Sequence, residues 1–295
     1  MKISQGDELE LRRGLEHRGG TFHFRMLMEG EPGTKGNFQF TLGQMGGDFF
    51  SPRHRHNFEQ VRFQVRDALD FGRDGKLRTG MVGYFPEGMH YGPQTQDPEK
   101  TPMAAVLQFG GASLSGYLSR AEVKAGMDEL GKVGEFRDGV FRRNDAPRGR
   151  KNRDGYQAIW EHANGRDMEY PKPRYEKPVF MDPENRAWTA VEGAPGVSEK
   201  FMGAFTEART RIAIVRIEPG ATFATGGRRS LFFVREGRGA VEGEPFRALT
   251  TVYTEKGETA SFTATETAIL LHVDFPDLSL LEAAAEDRPL ASAAE

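Results

Sequence analysis

Two histidine-containing segments, about thirty residues apart, constrain this chain more than any other feature. In the first, His54 and His56 are followed by Gln60. Side chains of a β-strand alternate between its two faces, so a strand over 51–67 places these three side chains on one face. The second segment, Pro-Glu-Gly-Met-His, predicts a turn that ends in a third imidazole, His90. The pattern can bring three imidazoles and one amide oxygen to a single point inside a small β-barrel.

Imidazole is the commonest protein ligand for zinc, iron, nickel and copper. The chain has no cysteine, so thiolate metal sites, disulfides and cysteine catalysis are excluded. We therefore predict one divalent metal ion (Fe, Zn, Mn or Ni), held by His54, His56, Gln60 and His90. Whether Gln60 or Glu59 is the fourth ligand stays open. Strand phase favours Gln60, whereas Glu59 is the better ligand by charge and turns inward only at a bulge.

Arg62 shares the inward face with Gln60, which is unusual for a barrel strand. It is either half of a structural ion pair or a buried cation that holds a substrate carboxylate or oxyanion. Tyr84, in phase with Pro86, either packs in the core or lines the pocket and donates a proton. Three imidazoles and an amide are all neutral, so a bound dication would keep its full charge and suit an anionic substrate.

Composition and turn signals predict an all-β protein with short strands. The 295 residues include 36 glycines, 16 prolines and 22 phenylalanines, which favour turns and β-strands. Strand patterns fill 1–115 and 181–279, and an Ala-rich acidic tail occupies 280–295. The two strand-rich regions therefore predict two β domains.

The connector, 116–180, differs in character from the two strand-rich regions. Ser119 and Glu122 form a capping-box pattern, followed by apolar residues at helical spacing. The connector is too long to be a simple linker. We expect part of it, at Tyr156 or Trp160, to cover a barrel mouth.

The histidine segments resemble the two motifs of the cupin superfamily, G-x5-H-x-H-x(3,4)-E-x6-G and G-x5-P-x-G-x2-H-x3-N. The first motif is matched by His54, His56 and Gln60, with glutamine in place of the usual glutamate. The second is matched by Gly80, Pro86, Gly88, His90 and Gln94, with glutamine in place of the usual asparagine. Asp67 stands where the first motif ends in glycine, and one residue rather than two separates Gly88 from His90.

The second half resembles the same motif without its ligands. The stretch 232–237 matches the strand and glycine turn, and Ala224, Gly226 and Ser230 fall at the ligand positions. The resemblance implies a bicupin: two cupin-type barrels (double-stranded β-helix, jelly-roll) joined by a partly helical connector. It also implies that only the N-terminal barrel carries a metal.

The resemblance is compatible with three alternative functions. The first is a metal-dependent enzyme similar to the three-histidine cupin dioxygenases, acting through Fe(II) and O₂ on a small anionic or enolisable substrate, with Arg62 orienting it. The second is a metal-dependent isomerase, cyclase or hydrolase without redox chemistry. The third is a small-molecule-binding or storage bicupin that is not an enzyme.

Charge and hydropathy limit the partners and the location. The net charge is −3, so no overall field favours nucleic acid. We find no signal-peptide pattern and no apolar run long enough to span a bilayer. We therefore expect a cytoplasmic protein whose partner is a small-molecule substrate, with no nucleic acid and no membrane, and with a homodimer as a plausible assembly.

Overall fold

The structure is a computed structural model that describes residues 1–14, 18–111, 113–145, 147 and 151–280. The helices that lie wholly within the described residues are α1 (Arg120–Leu130) and α2 (Gly155–Asn164), and short 3₁₀ turns occur at Gly72–Asp74 and Pro183–Asn185. The strands are, in chain order, β1 (Lys2–Gln5), β2 (Arg12–Arg13), β3 (Phe22–Glu29), β4 (Phe38–Met45), β5 (Glu59–Arg66), β6 (Leu69–Asp70), β7 (Lys76–Leu77), β8 (Val82–Phe85), β9 (Met103–Phe109), β10 (Gly134–Arg137), β11 (Val140–Arg143), β12 (Asn152–Asp154), β13 (Val179–Met181), β14 (Thr189–Ala190), β15 (Val197–Phe205), β16 (Thr210–Ile217), β17 (Thr222–Ala224), β18 (Ser230–Glu236), β19 (Gly239–Val241), β20 (Glu244–Phe246), β21 (Thr250–Thr254), β22 (Ser261–Ala264) and β23 (Ala268–Asp274).

The first barrel is built on a seven-stranded antiparallel sheet in the order β13-β8-β5-β9-β4-β3-β2. Alternation along its strands sorts side chains between two environments. On β4, Phe38 and Phe40 pack against the second barrel, whereas Gln39 and Thr41 line a cavity inside the first. The sheet therefore has an apolar outer face and a partly polar inner face.

The second barrel combines a seven-stranded sheet, β1-β21-β18-β23-β16-β15-β14, with a four-stranded sheet, β17-β22-β19-β20. Its interior is a cluster of buried apolar side chains that includes Phe223, Phe232, Phe246 and Phe262. Ser230, at one of the expected ligand positions, instead donates a hydrogen bond to Asp274 at 2.6 Å. Apolar side chains thus fill this barrel.

The two barrels pack face to face through the outer faces of their large sheets. Phe40 meets Phe233 edge-on at 5.5 Å between ring centroids, and Tyr84 stacks on Phe205 at 4.2 Å. The chain also crosses the expected domain boundaries. Strand β1 joins the sheet of the second barrel beside β21, and β13 joins the sheet of the first barrel beside β8.

The connector forms a small layer of its own, with α1, α2 and the sheet β10-β11-β12. The predicted capping box is present, because the Ser119 hydroxyl accepts from the Glu122 amide and the Glu122 carboxylate accepts from the Ser119 amide. Asp154 caps α2 by accepting from two backbone amides. Trp160 lies in an apolar cluster of connector residues that also includes Phe58 of the first barrel. Within the described part of the chain, no helix is both long and apolar enough to cross a membrane.

Candidate functional site

A cavity of about 110 Å³ lies between the first barrel and the connector. Three segments of the barrel supply its polar end. His54 and His56 precede β5, Gln60 and Arg62 lie on β5, and Tyr91 and Gln94 follow β8. The apolar part of the wall comes from Phe22, Met45, Phe49, Phe58 and Val106, and the connector adds Tyr117, Arg120, Val123 and Tyr156.

The guanidinium of Arg62 is the centre of the polar end. It donates from Nε to Gln60 Oε1 and from Nη1 to Gln94 Oε1, each at 2.6 Å, and lies 3.4 Å from the Tyr91 hydroxyl. Its carbon Cζ lies 4.8 Å from the centroid of the Phe85 ring. Only 7% of the residue is exposed. Arg62 is therefore a buried cation whose hydrogen-bond partners among the described residues are all neutral.

The cavity wall carries two more arginines and no carboxylate among the described residues that line it. Arg18 is neutralised by an ion pair with Asp154 at 2.7 Å. Arg120 lies with its guanidinium carbon 3.6 Å from the centroid of the Phe24 ring, and its Nε is buried without a hydrogen-bond partner in the described structure. The cavity is consequently electropositive.

Hydrogen bonds orient the two histidines. His54 Nδ1 lies 2.6 Å from the Pro52 carbonyl oxygen, which can only accept, so Nδ1 carries the proton and Nε2 keeps its lone pair. His56 Nδ1 lies 3.3 Å from the Tyr91 hydroxyl, and the two imidazole centroids are 4.7 Å apart. Burial, followed by the positive charge of Arg18, lowers the pKa of His54 well below its usual range. His54 is therefore neutral at physiological pH.

His90, the predicted third imidazole, is not at this site. Its side chain is exposed, and it is not part of the cavity wall. The reason is backbone pairing: Tyr91, not His90, pairs with His54 in an antiparallel bridge. Residues paired in this way share a face, so the side chain of Tyr91 enters the cavity and that of His90 turns to solvent.

Tyr84, expected as a candidate acid in the pocket, is also placed elsewhere. On β8 it pairs with Val61, whereas Phe85 pairs with Gln60. Tyr84 therefore takes the outer face of the sheet and packs against the second barrel. Glu59 takes the same outer face and accepts from the Thr210 hydroxyl at 3.1 Å, which leaves Gln60 as the inward residue of the pair.

Four titratable residues of the cavity wall are not among those that the sequence predicts: Arg18, Tyr91, Tyr117 and Arg120. The sequence does point to Tyr91. Two residues separate it from Gly88, and the family motif has the same spacing between its glycine and its histidine. No sequence pattern points to the other three, Arg18, Tyr117 and Arg120. They reach the cavity only through the tertiary packing of the connector and the N-terminal segment. Tyr156, expected at a barrel mouth, does line the cavity.

The described residues do not fit a resident divalent metal. They contain no group of three or more His, Cys, Asp or Glu side chains placed to hold one. The amide oxygens of Gln60 and Gln94, which would act as further ligands, are engaged by Arg62. The guanidinium of Arg62 beside the two imidazoles also repels a second cation. The arrangement suits an anion.

Comparisons with solved structures identify proteins of the same architecture. A putative dioxygenase from Nostoc punctiforme has a TM-score of 0.64 at 10% identity, and the match covers 94% of this chain and 83% of that one. HEPD of Streptomyces albus, solved with 2-hydroxyethylphosphonate and Fe(II), has a TM-score of 0.58 at 13% identity, covering 98% and 79%. Oxalate decarboxylase of Bacillus subtilis, studied for its Mn(II) centres, has a TM-score of 0.53 at 12% identity, covering 94% and 78%.

Sequence comparisons add nothing to this: no protein-family model matches the chain, and no curated protein sequence matches it. At 10–13% identity the structural neighbours establish the fold alone. That fold agrees with the resemblance carried by the histidine motif and with the two barrels described above. The chain therefore has the bicupin fold, with two cupin-type β-barrels joined by a connector that closes one side of the first barrel's cavity.

Proposed function

We propose that this bicupin binds a small organic anion in the cavity of its first barrel and acts on it as an enzyme. Arg62 is the observation that carries the proposal. A buried guanidinium held only by neutral oxygens has lost hydration without gaining a counter-ion, so an anionic ligand supplies the missing charge. The small cavity, well below the roughly 300–1,000 Å³ of pockets for drug-sized ligands, limits that anion to a compact molecule.

The imidazoles supply the chemistry. His54 is held in one tautomer with a free lone pair on Nε2, and His56 lies beside it. A neutral imidazole next to an arginine-bound anion can take a proton from the bound molecule and return it at another atom. The positive charge of Arg62 stabilises negative charge that develops on the substrate. Proton transfer, as in an isomerisation or enolisation, is the reaction class that these groups support.

Binding of matched anionic and neutral molecules tests the proposal. Isothermal titration calorimetry would compare acetate with acetamide, and butyrate with butyramide, on the wild-type protein. The anions are expected to bind at least tenfold more tightly than the amides, because only they neutralise Arg62. Equal binding of the amides would contradict the role of Arg62.

The structural neighbours favour a second candidate, a metal-dependent oxidoreductase. HEPD was solved with Fe(II), and the Bacillus decarboxylase has Mn(II) centres. Metal analysis of the purified protein separates the two candidates. One equivalent of iron or manganese that is lost in a His56→Ala variant would favour the metal enzyme, and substoichiometric metal in both proteins would favour the metal-free anion site.

A further inference from the structure

The connector side of the cavity holds a second cation that the function proposed above does not use. Arg120 begins α1 and reaches the cavity wall beside Tyr117 and Val123. Its guanidinium packs on the Phe24 ring, and its Nε is buried without a hydrogen-bond partner among the residues that the structure describes. A guanidinium has five N–H donors, so this end of the cavity presents donors without acceptors.

Tyr156 adds a second unpartnered donor on the same wall. Only 6% of the residue is exposed, and its ring meets those of Phe58 and His56 edge-on, at 5.3 and 6.2 Å between centroids. Its hydroxyl is buried without a hydrogen-bond partner within the described part of the chain. Buried polar groups without partners are costly, so their presence on a cavity wall indicates a ligand that satisfies them.

The charge balance of the cavity indicates how much negative charge the ligand carries. Arg18 is already neutralised by Asp154. Arg62 comes from the barrel and Arg120 from the connector, and neither forms an ion pair with a described residue; the exposed Glu29 carboxylate acts on Arg120 electrostatically without pairing with it. Arg62 is buried and Arg120 is partly buried, and two positive charges on the wall of one cavity are best balanced by two negative charges.

We propose that Arg120 and Tyr156 form a second recognition point, and that the cavity selects a compact organic dianion with an acidic group at each end. The barrel end, at Arg62, binds one acidic group. The connector end binds the other through the Arg120 guanidinium and the Tyr156 hydroxyl. This inference rests on the proposed function, because it extends the same anion site. It makes the connector the part of the chain that determines specificity.

Calorimetry with probes of matched length tests the second recognition point. Malonate and succinate are the dianions, and acetate, propionate and butyrate are the monoanions. The wild-type protein is expected to bind at least one dianion about tenfold or more tightly than the monoanion of similar length. Arg120→Gln is expected to remove that preference while leaving monoanion affinity within about twofold.

Two further variants keep the test decisive if Arg120→Gln is poorly folded. Tyr156→Phe deletes only the hydroxyl, and it is expected to weaken dianion binding about three- to tenfold without changing monoanion binding. Arg142→Gln changes an exposed arginine of the connector, and it is expected to behave as the wild type. Circular dichroism confirms that each variant is folded.

The outcomes separate this inference from the proposed function. Monoanions and dianions that bind equally well would overturn the second recognition point and leave the anion site of Arg62 standing. A dianion preference that survives both Arg120→Gln and Tyr156→Phe would also overturn it. If no carboxylate in the panel bound, both proposals would be overturned.

Discussion

Tyr91 and His54 face each other across an antiparallel bridge, in which the Tyr91 amide donates to the His54 carbonyl at 2.9 Å and the His54 amide donates to the Tyr91 carbonyl at 3.1 Å. This pair decides which side chain completes the site. A phenol therefore lies where a three-histidine cupin would have its third imidazole, and its hydroxyl lies between His56 and Arg62.

Restoring the imidazole at this position is expected to create a metal site. Tyr91→His places a third imidazole on the face shared by His54 and His56, so the affinity for Zn²⁺ or Ni²⁺ is expected to rise about tenfold or more. Calorimetric titration with each metal measures it. His90→Ala is the matched control and is expected to change nothing, since that side chain is exposed. Loss of metal affinity in His90→Ala alone would show that His90 is a ligand.

Ligand-induced stabilisation is expected to depend on Arg62. A ligand that binds only the folded state adds about 2.7 kcal/mol to the free energy of unfolding at a concentration a hundred times its Kd. Wild-type protein should therefore unfold at a higher temperature as an anion such as succinate is added, whereas Arg62→Met should show no shift. Thermal unfolding at several anion concentrations, at constant ionic strength, measures this. An equal shift in both proteins would indicate a nonspecific salt effect.

The fold and half of the site could be predicted because they depend on local pattern. Side chains alternate between the two faces of a strand, so Gln60 and Arg62 share a face. The Ser119–Glu122 capping box likewise determines where α1 begins. His90 could not be placed in this way. The length of the turn after Gly88 decides whether residue 90 or 91 faces inward, and alternation within one strand carries no information about that turn.

The remaining site residues depend on tertiary packing. Arg120 follows a helix cap that is obvious in the sequence, but nothing in the sequence shows that this helix begins at the mouth of the first barrel. The phase of Tyr84 with Pro86 leaves both core packing and the pocket open, whereas its register with Val61 on the neighbouring strand places it on the outer face, in the core. Pairing between strands that are distant in sequence is the information that local patterns lack.

The filled interior of the second barrel makes a stability prediction. Phe232 is fully buried among Phe223, Phe262 and His272, so Phe232→Ala leaves a cavity and is expected to lower the free energy of unfolding by about 3–5 kcal/mol. Urea denaturation measures it. Phe201→Ala, at a side chain that is 45% exposed in the same barrel, is expected to cost much less. Anion affinity of the folded Phe232→Ala protein should be unchanged, because the ligand site lies in the other barrel.

Two buried carboxyl groups at the interface between the barrels predict how stability varies with pH. Glu59 is fully buried, and burial, followed by the nearby Glu87 carboxylate, raises its pKa to about 8. Burial also raises the pKa of Glu87 to about 7, against hydrogen bonds from Ser113 that lower it. In the unfolded chain both groups titrate near the ordinary glutamate value of 4.5.

The direction in which stability changes with pH depends on whether the folded protein or the unfolded chain holds the protons. Between pH 4.5 and about 7, the folded protein keeps both protons while the unfolded chain releases them, so the free energy of unfolding falls as pH rises. Each group contributes at most about 1.4 kcal/mol per pH unit, and the loss levels off above about pH 8. Glu59→Gln cannot ionise and can still accept from Thr210, so it is expected to roughly halve the slope and to be more stable than the wild type at pH 8. Urea denaturation from pH 5 to 9 measures the slope of the free energy of unfolding against pH. Glu10→Gln, at an exposed side chain, is the control. An unchanged slope in Glu59→Gln would show that Glu59 does not hold its proton in the folded protein.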